Sequence, residues 1–348
     1  MDGIVCGKSA FNYWRVPPQV LALMPPVPQE RLAASHHQFV LHPAVADVLG
    51  TPVHRLLTGG NRLRSTKNFK NSEWSGPLPP GAVVQSELGF EVASPVFTLL
   101  TLANQVPYET LVMCAYELCG SFAVFRPANR IEAALANPAN RAALKLPGAW
   151  ERVSNSTDLW RRRPLLGVDE LRDFARQTDG MRGHYALWRA SKAVLGPAAS
   201  PFEVQAAMLL GLNRKLGGQG LESLHVNERI WLSAAARGVA GKDYCLADLY
   251  LQGRNGAMLD IECQSHMIHD SRDASLNDSD RSLALQMMGV TVLPMTYEQI
   301  NDPKLFAQLV EHICKLIDKQ PIKANEEDER RRARLRARIM CDWNRLVA

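Results

Sequence analysis

The sequence has no run approaching the roughly 20 consecutive apolar residues that a bilayer-spanning helix needs, and MDGIVCGKSAFNYWRV at its start lacks the apolar stretch of a secretory signal. We therefore expect a cytoplasmic protein with no membrane partner. Its seven cysteines, an odd number, are scattered without any CxxC pair. That spacing suggests neither a disulfide framework nor a four-cysteine zinc site, and leaves thiols, most of them buried. No internal repeat is present.

What is there is the composition of an ordinary globular chain, 46% hydrophobic and 22% charged over 348 residues, enough for about two compact units. Forty Lys and Arg against 35 Asp and Glu leave a net charge of +5, which permits a polyanionic partner without requiring one. The basic residues cluster at Arg62, Arg64, Lys67 and Lys70, at Arg161 to Arg163, and at Arg330 to Arg338. Such runs are commonly solvated surface and can equally contact phosphates.

Residues 1–127 hold short apolar runs broken by proline (VPPQVLALMPPVP, QFVLHPAV, GAVVQSELGFEVASP), read as short strands and turns in an α+β domain. A helical stretch opens at Ser94-Pro95 and runs toward Gly120. Residues 128–195 read as a helical connector and 321–348 as a basic C-terminal helix with its acids first, the order the helix dipole favours. In that tail Leu335, Ile339, Trp343 and Leu346 form a stripe that can dock, or its arginines can meet nucleic acid.

Residues 196–320 are punctuated more sharply. Ser200, Pro201 and Glu203 fit an N-cap, a first-turn proline and a capping-box glutamate. LADLYL and AMLDIEC read as strands joined through the Asn255-Gly256 turn, followed by a polar loop, a helix ending at Gly289, the strand VTVLPM and a helix opened by Asp302-Pro303. The order is α, β, β, α, β, α. Alternation puts Met258, Asp260, Glu262 and Gln264 on one face of their strand, and a hairpin brings Asp248 beside that row. Carboxylates held so close repel one another, and Mg²⁺ with hard oxygen ligands is the usual relief.

This ordered text resembles the PD-(D/E)XK nuclease superfamily, in particular its Vsr-like endonuclease-related domain. The matching residues are Glu203 in SPFE, Asp248 in LADLY, Glu262 and Gln264 in IECQS, His269, Asp278 and Arg281 in DSDR, and the strand GVTVLPMT. The resemblance implies an α/β chain with a C-terminal restriction-endonuclease-like mixed sheet flanked by helices. It implies a Mg²⁺-dependent DNA endonuclease or nicking enzyme, with no small-molecule cofactor. Asp248, Glu262 and the backbone carbonyl of Cys263 would hold the metal, Gln264 would orient the attacking water, Glu203 would bind a further water, and His269 and Arg281 would face the nucleic acid.

Gln264 departs from the pattern, where Lys or Asp is usual, because an amide cannot serve as a general base near neutral pH. Each residue also has a plainer reading. Glu203 completes a cap, His269 is a loop histidine, Asp278 caps a helix with Arg281 as its ion-pair partner, and the strand acids face solvent. Cys263, His266 and His269 at three-residue spacing lack the fourth ligand that zinc wants.

The N-terminal text (SHHQFVLHP, NRLRSTKNF, EVASPVFTLLTLA, AYELCG) is similar to the middle domain of type IV abortive-infection antitoxins and related regulators. That similarity implies an alternative function, a DNA- or partner-binding regulator on an inactive nuclease-like scaffold, its partner belonging to a defence or toxin–antitoxin system. Arg62, Arg64, Lys67 and Lys70 would then lie on a phosphate-contacting hairpin.

Overall fold

The computed structural model describes residues 3–27, 42–60, 63–140, 145–154, 156–264, 272–321 and 323–348, excepting the side chains of residues 43–44 and 272–278. The chain is α/β and divides into two compact units, residues 1–194 with 342–348, and residues 195–341. Residues 128–194 therefore belong to the first unit instead of forming a separate connector, and the basic helix belongs to the second.

In the first unit, β1 (Ile4–Val5), β2 (Val53–Leu57), β3 (Phe69–Glu73), β4 (Val83–Gln85) and β5 (Glu91–Ala93) form a mixed sheet in the order β3-β2-β1-β5-β4. Against it lie α1 (Gly7–Trp14) and α4 (Pro95–Leu102), with α2 (Pro18–Ala22) and α3 (Pro43–Val48) in the same unit. The N-terminal text is thus more helical than its proline content suggests, since Pro18 occupies a helix first turn, where a missing N–H costs nothing. The stretch after Ser94 breaks at Pro107 into α4 and α5 (Tyr108–Cys119). β2 and β3 run parallel, so NRLRSTKNFK is a crossover and not a hairpin. In 128–194, β7 (Glu151–Arg152) and β8 (Leu159–Arg161) join β6 (Phe122–Val124) in a small antiparallel sheet among α6 (Asn129–Ala136), α7 (Val168–Gln177) and α8 (His184–Ala193). Glu117 is fully buried on α5, where Arg15 donates to it at 2.7 Å while also donating to the Trp343 carbonyl at 2.7 Å. That guanidinium fastens residues 342–348 to this unit.

The second unit opens with α9 (Pro201–Gly211), followed by β9 (Leu224–Trp231), α10 (Ala234–Ala240), β10 (Tyr244–Gln252), β11 (Met258–Gln264), α11 (Arg272–Met287), β12 (Val290–Thr296), α12 (Tyr297–Asn301), α13 (Pro303–Leu316) and α14 (Glu326–Ile339). The six elements expected from sequence are all present, and β9, α10 and α12 are added. The sheet runs β12-β11-β10-β9, with β11–β12 parallel and the other pairs antiparallel. α11 and α10 bury Ala284, Leu285 and Ala236 with Leu232, Cys245 and Val290 on one face of it.

The tail helix α14 begins as its sequence implied, with Asn325 accepting from the Asp328 N–H at 2.8 Å. Three of its six arginines are engaged within the helix, Arg330 with Glu326 at 2.7 Å, Arg332 with Glu329 at 2.9 Å and Arg331 with Glu327. Leu335 and Ile339 dock it, while Trp343 and Leu346 are buried with the first unit, which splits the expected stripe. The helix fits closely over Gly217, which sits at φ +92°, because a Cβ there would lie 2.3 Å from the Arg331 carbonyl oxygen. We expect Gly217→Ala to lower stability by about 2 kcal/mol, from backbone strain plus displacement of α14, read as a lower urea midpoint at an unchanged slope. An unchanged midpoint would show that α14 does not rely on this approach.

Candidate functional site

The site forms where the β10–β11 ladder ends. Regular pairing runs from Gln252–Met258 to Leu249–Ile261. Beyond that pair the Asp248 carboxylate takes over as acceptor, receiving the Cys263 N–H at Oδ2, 2.9 Å away. On its other side, β10 pairs with β9 at Ala247–Glu228 and Leu249–Val226 and skips Asn227, which stands opposite Asp248 with φ 52°. Asn tolerates this left-handed conformation better than most residues. The turn aims its side chain at Glu203, Nδ2 donating to Oε2 at 2.6 Å.

Glu203 comes from the first turn of α9. Ser200 Oγ accepts from the Glu203 N–H at 3.2 Å, as an N-cap should. The Glu203 carboxylate in turn accepts from the Ala199 N–H at 2.7 Å and from the Ser200 hydroxyl at 2.9 Å. Ser200 is thus the N-cap, but the reciprocal half of a capping box is not formed, because the Glu203 carboxylate takes the Ala199 N–H and the Ser200 hydroxyl and not the Ser200 N–H. Burial, reinforced by the charge of Asp248, pushes its carboxyl up to about 7 despite three donors that oppose the shift. Burial likewise raises the Asp248 carboxyl, against the Cys263 N–H and the charge of Arg281.

On β11, Asp260 is fully buried and Glu262 is half-buried. The strand acids do not face open solvent. Arg281, the tenth residue of α11, donates from Nη2 to Asp260 Oδ2 at 3.0 Å and from Nη1 to Glu262 Oε1, and also reaches the Leu246 carbonyl. Its ion-pair partners are therefore Asp260 and Glu262, and Asp278 lies outside the described side chains. Among the described residues, Asp260 Oδ1 is buried with no hydrogen-bond partner. Burial pushes the Asp260 carboxyl up to about 7, the charge of Arg281 opposing and that of Asp248 adding to the rise.

The structure thus brings Glu203, Asp248, Asp260, Glu262, Cys263 and Arg281 into one neighbourhood. The carboxylate electrostatically coupled to Asp248 from β11 is Asp260, which sequence reasoning placed in the polar row but gave no role. Gln264 is exposed at the strand end. His269 and Arg62 lie outside the described residues. Arg64, Lys67 and Lys70 are exposed in the first unit. Of the Arg161 to Arg163 run, Arg162 is buried and donates to the Phe122 carbonyl at 2.9 Å, so that run is partly structural. Asn227 was missed altogether, although an Asn inside the alternating text LHVNERIW signals a break in a strand.

Whether a metal fits can be judged from the donors. Asp248, Asp260, Glu262 and the Cys263 carbonyl are hard oxygen donors suited to Mg²⁺, and the unpartnered Asp260 oxygen marks a place short of positive charge. Among the described residues, no three His, Cys, Asp or Glu side chains form a ready coordination shell, and Arg281 engages Glu262. The donor chemistry fits a divalent cation, and coordination requires Glu262 to exchange its guanidinium for the ion. Among the described residues no helix is long and apolar enough to cross a membrane. A scan against protein-family models, a search of curated proteins and a search of solved structures each found no match.

The raised carboxyls fix a pH dependence. Glu203 and Asp260 go from unfolded values of 4.5 and 3.8 to about 7 in the fold, so between those limits the folded chain binds more protons than the unfolded one. Their contribution to stability is greatest below about pH 4 and is lost as pH rises through 7. We expect the thermal midpoint to fall between pH 5 and pH 8 without divalent ions, and to fall less in Asp260→Asn. An equal fall in both proteins would remove Asp260 from the cause.

Proposed function

We propose that the second unit is a PD-(D/E)XK-type centre acting on DNA phosphodiesters, a Mg²⁺-dependent endonuclease or nicking enzyme. The observation that carries this reading is the charge balance: among the described residues Asp260 and Glu262 share the one guanidinium of Arg281, Asp248 and Glu203 lie beside them, and the Glu203 and Asp260 carboxyls are pushed up to about 7. Buried acids so arranged are costly unless a cation joins them. A bound divalent cation would supply charge neutralisation at a scissile phosphate and a more acidic water.

The chain's own residues have separate tasks. Asp248 holds β11 in place through the Cys263 N–H, which leaves its second oxygen for a ligand. Asn227, Ala199 and Ser200 fix the orientation of Glu203, so its charge points at a defined place. Gln264 can orient a water by hydrogen bonding but cannot remove its proton, so that proton must leave to solvent or to phosphate oxygen.

A second reading is favoured by two particular features, the amide at Gln264 and the guanidinium on Glu262. In it the centre is a scaffold held together by Arg281, and the chain is an antitoxin-like regulator that binds DNA or a partner protein, with Arg64, Lys67 and Lys70 contacting phosphate. Incubation of supercoiled plasmid with Mg²⁺ or Mn²⁺ separates the two. The nuclease reading expects nicking by the wild type, at least 100-fold slower in Asp248→Asn and Glu262→Gln, and faster in Gln264→Asp, which restores a carboxylate. No cleavage by the wild type, or cleavage indifferent to these changes, overturns it. The regulator reading expects DNA retention in EDTA that weakens steeply with salt and with Arg64→Ala plus Lys67→Ala.

A further inference from the structure

Away from the carboxylates, the second unit contains a cavity of about 750 Å³ between α13 and α14, at the upper part of the range in which proteins hold small ligands. Its apolar lining is Leu209 from α9, Leu221, Phe306, Val310 and Cys314 from α13, and Met340. Its rim is basic. Arg214, Lys319, Lys323, Arg332 and Arg336 line it against two acids, Glu311 and Glu329. Several of these charges are already matched, Arg214 by Asp328, Arg332 by Glu329 at 2.9 Å, and Glu311 by Lys315 at 2.9 Å. Lys319 donates to the Gly220 carbonyl at 3.0 Å, a neutral acceptor that leaves its charge uncompensated.

Arg336 is the distinctive member. Its guanidinium lies over the Phe306 ring, 5.0 Å from the centroid, and among the described residues its Nη1 is buried with no hydrogen-bond partner. An arginine packed on an aromatic ring offers a directed fork for a carboxylate or phosphate, and the part of this half-buried side chain that lines the cavity is the part a ligand reaches, since Nη1 itself is closed to solvent. Burial works against its charge, with Asp302 opposing.

We propose that this cavity binds a soluble anionic amphipath, an apolar body of about a dozen carbons carrying one carboxylate or phosphate, with the head on Arg336 and Lys319 and the body along Phe306, Val310 and Leu209. The assignment is independent of the carboxylate centre and of what that centre does. The ligand is bound unchanged, and no bond is made or broken.

Calorimetric titration of the full chain with dodecanoate, below its micellar concentration, tests this. The expected result is one-to-one binding, weakened at least tenfold in Arg336→Gln, and weakened at least tenfold in Ala337→Trp, which puts an indole into the cavity from an exposed helical position. Dodecan-1-ol and dodecyltrimethylammonium, which share the body and lack the anion, should bind at least tenfold more weakly. Absence of dodecanoate binding, equal binding of the alcohol, or undiminished binding to a folded Ala337→Trp overturns the proposal. Co-sedimentation with phosphatidylglycerol vesicles that is lost in Arg336→Gln overturns it too, since it would make the surface a membrane contact. Should Arg336→Gln not fold, Ala337→Trp and the alcohol comparison decide.

Discussion

One guanidinium holds the second unit's centre together, and it is outnumbered. Arg281 binds the carboxylates of Asp260 and Glu262 and the Leu246 carbonyl, so α11, β11 and β10 are all tied to a single side chain. Asp248 adds to the rise of the Glu203 and Asp260 carboxyls, yet among the described residues neither Asp248 nor Glu203 has a cation in hydrogen-bond contact. Breaking a buried pair of this kind typically costs about 3 to 5 kcal/mol, because the abandoned charge stays desolvated. The geometry of the strand ends, the protonation of the acids and the room for a cation all follow from how far one positive charge can be shared.

The backbone shows the same economy. Where β10 would continue to pair with both neighbours, the ladder breaks at Asp248 on one side and at Asn227 on the other. One side chain replaces a lost main-chain partner, the Asp248 carboxylate accepting the Cys263 N–H, while the Asn227 amide is turned to donate to the Glu203 carboxylate. An interrupted sheet can hold polar groups that a continuous one would exclude, since backbone groups left bare by the break need acceptors and donors. The interruption gives these residues a structural role that does not depend on catalysis. That is why the scaffold reading has physical content of its own.

Which parts were legible in the sequence follows from how local each signal is. Ser200-Pro201-x-Glu203 starts a helix through contacts within four residues, and the alternation in AMLDIECQ sets the face of Asp260 and Glu262 through chain geometry alone. Asn255-Gly256 marks the tight connection between β10 and β11 for the same reason. The partner of Glu262 was not legible, because it depends on where α11 lands and not on spacing within DSDR. Nor was the parallel pairing of β2 and β3. Polar text between two short strands reads as a hairpin until other strands claim the sheet edges, and here β1 occupies the antiparallel side of β2.

The two units also differ in where they keep their charge. In the first, the buried pair of Arg15 and Glu117 is supplied with further partners, Val124 N–H donating to the glutamate at 2.9 Å and the Trp343 carbonyl accepting from the arginine. Glu117 Oε2 nonetheless stays buried with no hydrogen-bond partner among the described residues, so the pair fixes the packing of α5 and the chain end without every atom being matched. In the second, Asp260 Oδ1 and Arg336 Nη1 are likewise buried and unpartnered among the described residues, one beside the interrupted strands and one beside an apolar cavity. Buried polar atoms without partners therefore occur in both units, and what sets the second apart is how its charge is divided: among the described residues the carboxylates of Asp260 and Glu262 share Arg281, while Arg214, Lys319, Arg332 and Arg336 line the cavity beside α13 and α14. The cation proposed for the acids and the anion proposed for the cavity would answer charges of opposite sign within one unit.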